Sequence, residues 1–349
     1  MKKIKLGFVG AGFNGQIGFL ENFSKNKNCI IWGLAEYRPE LRKKVCKKYN
    51  ITNQYASHKD LVKNINEYDG IIIVTKRNMM PAIAYDFLKL GKPILTEKPM
   101  AMCTEQAKKL LKRAQKYHTR YKVGYNKTYD EGIQKAKLLF DRLFKSKSLG
   151  NLIQIRSHRL SGSGYIKKNS YIHSNEKNLL SKPSWKIKPS WIPKIYEKSY
   201  EKYLNLYCHN INLFKFFIKQ KPKVAFSDLS DKKISTVVLD YGKFSAILET
   251  GFFTKDGWDE TFDLYFEKGS LKITLPPQHL KNKSATFYLY KNKNDKIFNK
   301  TNFNSWSFKR QADAFVNDIK NKKLIHNNAK SAFDDIDLVE KIWRKFLNK

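Results

Sequence analysis

Leu95-Thr96-Glu97-Lys98-Pro99-Met100 sets a carboxylate beside an ammonium directly after an apolar run. Burial alone does not call for a lysine there, so Lys98 is a candidate for chemistry. A second candidate is Gly10-Ala11-Gly12-Phe13-Asn14-Gly15. It follows a strand-like alternation (Ile4, Leu6, Phe8) and precedes the helix-like IGFLENFSKN. In that context a GxGxxG run is a phosphate cradle. Gly10 permits a tight turn, Gly12 lets a pyrophosphate approach the backbone, and Gly15 lets helix and strand pack closely. The helix start, with Phe13 and Asn14 in the turn, presents N–H groups and a partial positive charge to the phosphates. Glu36 ends the next strand, CIIWGLAE, 21 residues beyond Gly15, which is the spacing of an acid that binds a ribose. Its charge opposes a 2′-phosphate and favours NAD. Arg38 is two residues on and could accept one, so NADP stays open. A third candidate is the polar stripe Asn205, His209 and Asn212, at i, i+4 and i+7 beside the apolar stripe Leu204, Cys208 and Ile211. Such a stripe either lines a cleft or forms a solvated face.

These residues need elements to hold them. PELRKKVCKKY reads as a helix with a basic outer face, and DGIIIVT as a strand buried on both sides. PAIAYDFLKLGK is a helix closed by Gly91, PILTE a strand, TEQAKKLLKRAQKYH a helix and KVGYN a strand. Strand and helix alternating in this way predict a doubly wound parallel sheet, a Rossmann dinucleotide-binding domain over residues 1–124. Ligands of such sheets sit at the carboxyl ends of the strands. Thr75, Glu97, Lys98, Tyr125 and Asn126 fall at those ends, so Lys98 faces the crevice expected to hold the cofactor.

Residues 125–349 read as a second α/β domain, for substrate and for oligomer contacts. ISTVVLDYGKFSAILETGF and ETFDLYFEKGSLKITL alternate as strands, with Phe262, Leu264 and Phe266 on one face and Gly242 and Gly269 at turns. An antiparallel sheet needs cover. Helices supply it on one face and a partner subunit on the other, so a homo-dimer or homo-tetramer is expected. Between Ser161 and Lys198 runs a loop with a repeated KPSW, which carries Trp185 and Trp191. Loops of this length are often functional. The two rings either stack on a sugar or base face or pin the loop to the core. Tyr196, Tyr200, Tyr203 and Tyr207 have helical spacing and read as packing, as do Ala332, Ile336, Val339, Trp343 and Phe346.

The chain has 349 residues and a net charge of +37. Of its 68 basic residues only 10 are arginine, and the lysines are spread among many asparagines. Arginine is the usual base-reading and bidentate phosphate residue. The charge therefore reads as lysine bias over a surface, and no nucleic-acid partner is expected. A positive field that attracts an anionic small substrate fits it. No apolar run approaches the ~18 residues of a membrane span. The glycines in MKKIKLGFVGAG argue for a strand entering a turn, against a signal peptide. Cys29, Cys46, Cys103 and Cys208 form no CxxC pair, and reduced thiols of a cytoplasmic protein without a metal site are expected.

The chain resembles the glucose–fructose oxidoreductase / inositol dehydrogenase (Gfo/Idh/MocA) family. GFVGAGFNG, DGIIIVT, GKPILTEKPMA, KVGYNKTYD, SLGNLIQIRSHR, LNLYCHNINLFKFF and FKRQADAFVNDIKN carry the likeness in the family's order. GKxxxxEKPxA is the most specific of them. The resemblance implies a Rossmann domain joined to an α/β domain with a large, mostly antiparallel sheet. It implies NAD(P)-linked hydride transfer at a carbinol carbon of a sugar or cyclitol. Lys98 then sits beside the nicotinamide and the reacting hydroxyl, and a cis Lys98-Pro99 peptide is expected. The resemblance makes His209 the acid/base and Asn205, in place of the usual aspartate, the residue that orients it. It puts Asn126 at the cofactor and Lys127 at the substrate, with Lys127-Thr128 where relatives have an arginine pair, and Asn212 on the substrate side. Met80 stands where many relatives have histidine. The expected function is a sugar dehydrogenase or reductase, whose sugar could be nucleotide-linked, in carbohydrate or surface-polysaccharide metabolism. The alternative is a cofactor-binding sensor of the same fold that has lost catalysis.

Overall fold

The computed structural model describes residues 2–162, 171–176, 185–230, 233–252, 256–291, 296–299, 305–323 and 326–348. Part of the loop expected from Ser161 onward, at 163–170 and 177–184, lies outside the described residues. The chain forms two compact units.

The first unit holds a six-stranded sheet. Its strands are β1 (Ile4–Val9), β2 (Cys29–Ala35), β3 (Asn53–Tyr55), β4 (Gly70–Ile73), β5 (Ile94–Glu97) and β6 (Tyr121–Gly124). All pair in parallel, in the order β3-β2-β1-β4-β5-β6. β4, β5 and β6 are buried at every residue, which is why DGIIIVT shows a continuous apolar run and no alternation. The connections include α1 (Glu21–Ser24), α2 (Pro39–Tyr49), α3 (His58–Lys63), α4 (Met80–Leu88) and α5 (Thr104–Lys116). Gly91, after α4, adopts φ +68°, which glycine tolerates best. β3 and α3 are additions to the sequence reading, because Asn53-Gln54-Tyr55 carries no apolar alternation.

A single boundary after residue 124 was expected, and the contacts differ from it. The first unit also takes in Lys168–Asn205 and Phe308–Asp337. The reason for the second segment is apolar. Helix α8 (Ser307–Lys320) carries Phe308 against Phe19 and Phe315 against Phe23, which in turn packs edge-on against Phe8 of β1. Burying each such ring stabilises by about 2 kcal/mol. Polar ties follow the same route: Asn26 Nδ2 donates to Asp313 Oδ1 at 2.8 Å, and the buried Lys122 pairs with Asp318.

The second unit holds β7 (Leu152–Ser161), β8 (Lys223–Asp228), β9 (Ile234–Asp240), β10 (Ser245–Gly251), β11 (Trp258–Phe266), β12 (Gly269–Thr274), β13 (Thr286–Tyr290) and β14 (Lys296–Asn299). They form one eight-stranded sheet, β14-β13-β12-β11-β7-β10-β9-β8. Every pairing is antiparallel except that of β7 with β10. Phe262, Leu264 and Phe266 of β11 are buried on one face. Phe140 of α6 (Glu131–Ser146) covers Phe266, and Phe214 and Phe217 of α7 (Glu197–Phe217) cover Phe262. Ile153, Phe226 and Tyr290 are exposed. The chain ends in α9 (Ala329–Phe346), whose Ala332, Ile336, Val339 and Trp343 are buried. Among the described residues no helix is long and apolar enough to cross a membrane.

The start of α6 is tightly knit. Asp130 Oδ1 accepts from the N–H groups of Gly132, Ile133 and Ala285 at 2.9, 3.2 and 3.0 Å. A Cβ on Gly132 would stand 1.8 Å from the Ala285 carbonyl oxygen. Overpacking of this kind costs about 2 kcal/mol or more. Gly132→Ala is expected to lower the stability by at least that amount in urea unfolding, and an unchanged midpoint would refute the close approach.

Candidate functional site

The strand order reverses between β1 and β4, and ligands of open α/β sheets bind at that crevice. A cavity of about 390 Å³ opens there. Its wall includes Gly10, Gly12, Phe13, Asn14, Gly15, Glu36, Arg38, Thr75, Glu97, Lys98 and Asn205. The three glycines differ in what they prevent. Gly10 has φ +94°, and a Cβ on it would lie 2.3 Å from the Val74 carbonyl oxygen. A Cβ on Gly15 would lie 2.8 Å from the Gly10 carbonyl oxygen. A Cβ on Gly12 meets nothing within 4 Å, so this glycine leaves open space in the cavity wall. The helix after the loop opens with a wide π-type turn over Gly15–Leu20. Gln16 braces the loop by donating from Nε2 to the Ala11 carbonyl at 2.8 Å.

Glu36 is 3% exposed at the end of β2. Its Oε2 accepts from the Ala11 N–H at 2.9 Å. The Arg38 guanidinium grips it with both arms, Nε to Oε1 at 2.9 Å and Nη2 to Oε2 at 3.0 Å. Beside Gly10, Thr75 Oγ1 is buried with no hydrogen-bond partner among the described residues. A cradle with open space at Gly12, a lone hydroxyl at Thr75 and an acid at the end of β2 suits a dinucleotide.

Glu97 ends β5 and is buried. Burial pushes its carboxyl up, and the neighbouring Lys98 charge opposes this. Asn14 Nδ2 lies 3.4 Å from its Oε1, and its Oε2 accepts from the Lys98 N–H. The Lys98-Pro99 peptide is cis. Lys98 Nζ donates to the carbonyl oxygen of Asn205 at 2.8 Å and to its Oδ1 at 3.1 Å. Asn205 was expected to serve His209, and here its side-chain oxygen accepts from the lysine. His209 and Asn212 follow along the same helix, each 2% exposed. The stripe is therefore no solvated face.

Asn126 and Lys127 lie outside the cavity wall. Asn126 is buried and donates to Ser307 Oγ at 3.0 Å. Lys127 is buried and paired with Glu260. Burial pushes its ammonium down to about 8, against the pull of Glu260, and the Arg159 charge pushes the same way as burial. Asn210 Nδ2 donates to the same Glu260 oxygen at 3.1 Å. Glu260, Arg159 and Asn210 were missed. Their signal was parity, since Glu260 shares the inward register of Phe262, Leu264 and Phe266, where an acid is out of place. Trp185 meets Tyr85 of α4 edge-on at 5.4 Å between ring centres, and Trp191 is half-buried. Among the described residues no cluster of three His, Cys, Asp or Glu could hold a metal.

The parallel sheet, its glycine loop and the acid at β2 define a dinucleotide-binding fold. Residues 4–125 match the GFO_IDH_MocA family model, described as an oxidoreductase family with an NAD-binding Rossmann fold. The matched model describes NAD binding over these residues. The chain is 28% identical over 152 residues to the rhizopine catabolism protein MocA of Rhizobium meliloti, spanning 44% of this chain and 45% of that one. It thus spans about half the length of the curated relative it matches. The fold resembles the scyllo-inositol dehydrogenase of Lactobacillus casei, solved with bound NAD(H) and scyllo-inositol, with TM-score 0.72, 16% identity, and 99% and 98% of the two chains covered. It also resembles the aldose-aldose oxidoreductase of Caulobacter crescentus, solved with glycerol, with TM-score 0.74, 14% identity, and 99% and 98% covered.

Gly10 and Gly12 should separate on mutation. Gly10→Val collides with backbone and is expected to lower the melting temperature. Gly12→Val fits the unliganded fold, keeps that temperature, and weakens NADH binding at least about tenfold by filling the cradle. Full NADH affinity in Gly12→Val, read by fluorescence titration, would remove the loop from the cofactor site.

Proposed function

We propose that the protein is an NAD(P)-dependent oxidoreductase that moves hydride to or from a carbinol carbon of a sugar or cyclitol, with nucleotide-linked sugars within its range. The observation that carries this reading is the Lys98 ammonium, anchored on two oxygens of Asn205 in the wall of the cavity that has the glycine cradle. Bound NAD supplies the two-electron acceptor at its nicotinamide ring. The residues of the chain supply the rest. Lys98 presents a fixed positive charge where the carbinol oxygen becomes anionic, and preorganised charge of this kind is the largest single catalytic device. His209 takes the hydroxyl proton on oxidation and returns it on reduction. Asn205 holds Lys98 in place with neutral acceptors, so the oxygens that orient the ammonium carry no net charge.

In this reading Gly10, Gly12, Phe13, Asn14, Gly15, Glu36, Arg38, Thr75, Glu97 and Asn126 serve the cofactor. Lys127, Trp185, Trp191 and Asn212 serve the substrate. The unit built on residues 1–124, with the later segments that join it, acts as the cofactor domain, and the rest of 125–349 as the substrate and association domain. Copies associate through the sheet face that carries Ile153, which is 50% exposed, to give a dimer or tetramer. The setting is the cytoplasm and the role carbohydrate or surface-polysaccharide metabolism.

The test is a panel of free and nucleotide-linked sugars and cyclitols with NAD or NADP, read by nicotinamide absorbance. Lys98→Met is expected to reduce kcat by at least about a hundredfold, as loss of a transition-state charge does, while NADH still binds. His209→Ala is expected to fall by a similar factor. Retained turnover in both would sink the mechanism. Cofactor binding with no turnover on any substrate would favour the sensor reading, for which Met80 and Asn205 are the sequence features.

A further inference from the structure

Arg38 stands at the mouth of the cofactor cavity with carboxylates around it. One is Glu36, gripped by both arms of the guanidinium. The other is Glu176, which comes from the distant stretch 171–176. Its Oε1 accepts from the Glu40 N–H at 3.1 Å and its Oε2 from the Leu41 N–H at 3.0 Å, at the start of α2 directly after Arg38. Ser174 Oγ donates to the same carboxylate at 2.8 Å. The Arg38 guanidinium is pushed up from its ordinary value, first by its hydrogen bonds to Glu36, against burial, and further by the charges of Glu36 and Glu176.

The stretch that carries Glu176 is tied to the glycine loop. Gln16 Nε2 donates to the Ile172 carbonyl at 2.9 Å, and the Ile172 N–H donates back to Gln16 Oε1 at 2.8 Å. The ring of Tyr171 meets Phe13 edge-on at 5.0 Å between centres. The position of Glu176 is therefore set by the loop that cradles the pyrophosphate.

A dinucleotide fold recognises a ribose 2′-phosphate with two devices, an arginine near the end of β2 and free N–H groups at a helix start. This chain has both, and each is engaged by a carboxylate. Arg38 is spent on Glu36, and the first N–H groups of α2 are spent on Glu176. A 2′-phosphate would have to displace two anions and remain beside them, which is costly at short range. A plain 2′-hydroxyl has no such conflict, since Glu36 can accept from it. We propose that Glu176, held against the start of α2, is a specificity residue that together with Glu36 excludes the 2′-phosphorylated cofactor and makes the site selective for NAD. This rests on the cofactor reading and adds to it a residue from outside the parallel-sheet motif.

The experiment is a pair of titrations, NADH and NADPH, followed by nicotinamide fluorescence and checked by calorimetry. The proteins are the full chain and its Glu176→Gln, Glu176→Ala and Glu176→Ala/Arg38→Ala variants, with melting temperatures to confirm folding. The full chain is expected to favour NADH. Both single variants should shift the NADPH-to-NADH affinity ratio about tenfold toward NADPH, as removal of one nearby like charge does. The double variant should lose part of that gain, because the Arg38 charge beside the freed N–H groups of α2 is then missing. An unchanged ratio in both single variants, with NADH still bound, would overturn the role of Glu176. So would equal affinity of the full chain for the two nucleotides. Failure of the folded full chain to bind either nucleotide would instead overturn the cofactor reading, and this inference with it.

Discussion

The turn at Gly10 takes place against the Val74 carbonyl oxygen, at a distance that excludes a side chain. That close approach lets the chain leave β1, pass over the end of β4 and enter the helix without lifting away from the sheet. The cavity follows from it. Gly15 nests on Gly10, Gly12 is left facing open space, and Thr75 packs beside Gly10 with a hydroxyl that has no partner among the described residues. A bulkier turn would raise the loop and break the contact of the Ala11 N–H with Glu36, which joins the glycine loop to the second strand.

The charges of the site are organised by what surrounds them. Glu36 and Glu97 are both buried, and neither faces an apolar wall alone. Glu36 has Arg38 and a backbone N–H, and Glu97 has the Lys98 N–H and the Lys98 charge. Buried carboxylates are costly unless answered in this way. Lys98 is held by oxygens that carry no net charge. Among the described residues its ammonium makes no ion pair with a carboxylate, whereas Arg38 and Lys127 are each bonded to one, Glu36 and Glu260.

Much of the parallel sheet was legible in the chain. Strands buried on both faces show as unbroken apolar runs, and each helix between them shows a start or stop residue, such as Pro39 or Gly91. β3 was not legible, because a short edge strand of polar residues has no periodicity to display. The glycine loop was legible because its glycines answer local needs, a tight turn at Gly10 and a close approach at Gly15. The pairing of Lys127 with Glu260 was not, since 133 residues separate the two. Nor was the membership of Phe308–Asp337 in the first unit, which depends on which aromatic faces meet.

The sequence by itself determined the elements, the glycine loop, the acid after β2 and the lysine after β5. These follow from local backbone geometry and hydrophobic period, which act over a few residues. Tertiary structure decided the partners. It gave Asn205 to Lys98, Glu260 to Lys127, and Glu176 to the start of α2. Such pairings depend on distances between residues far apart in the chain, and no spacing rule encodes them before the chain has packed.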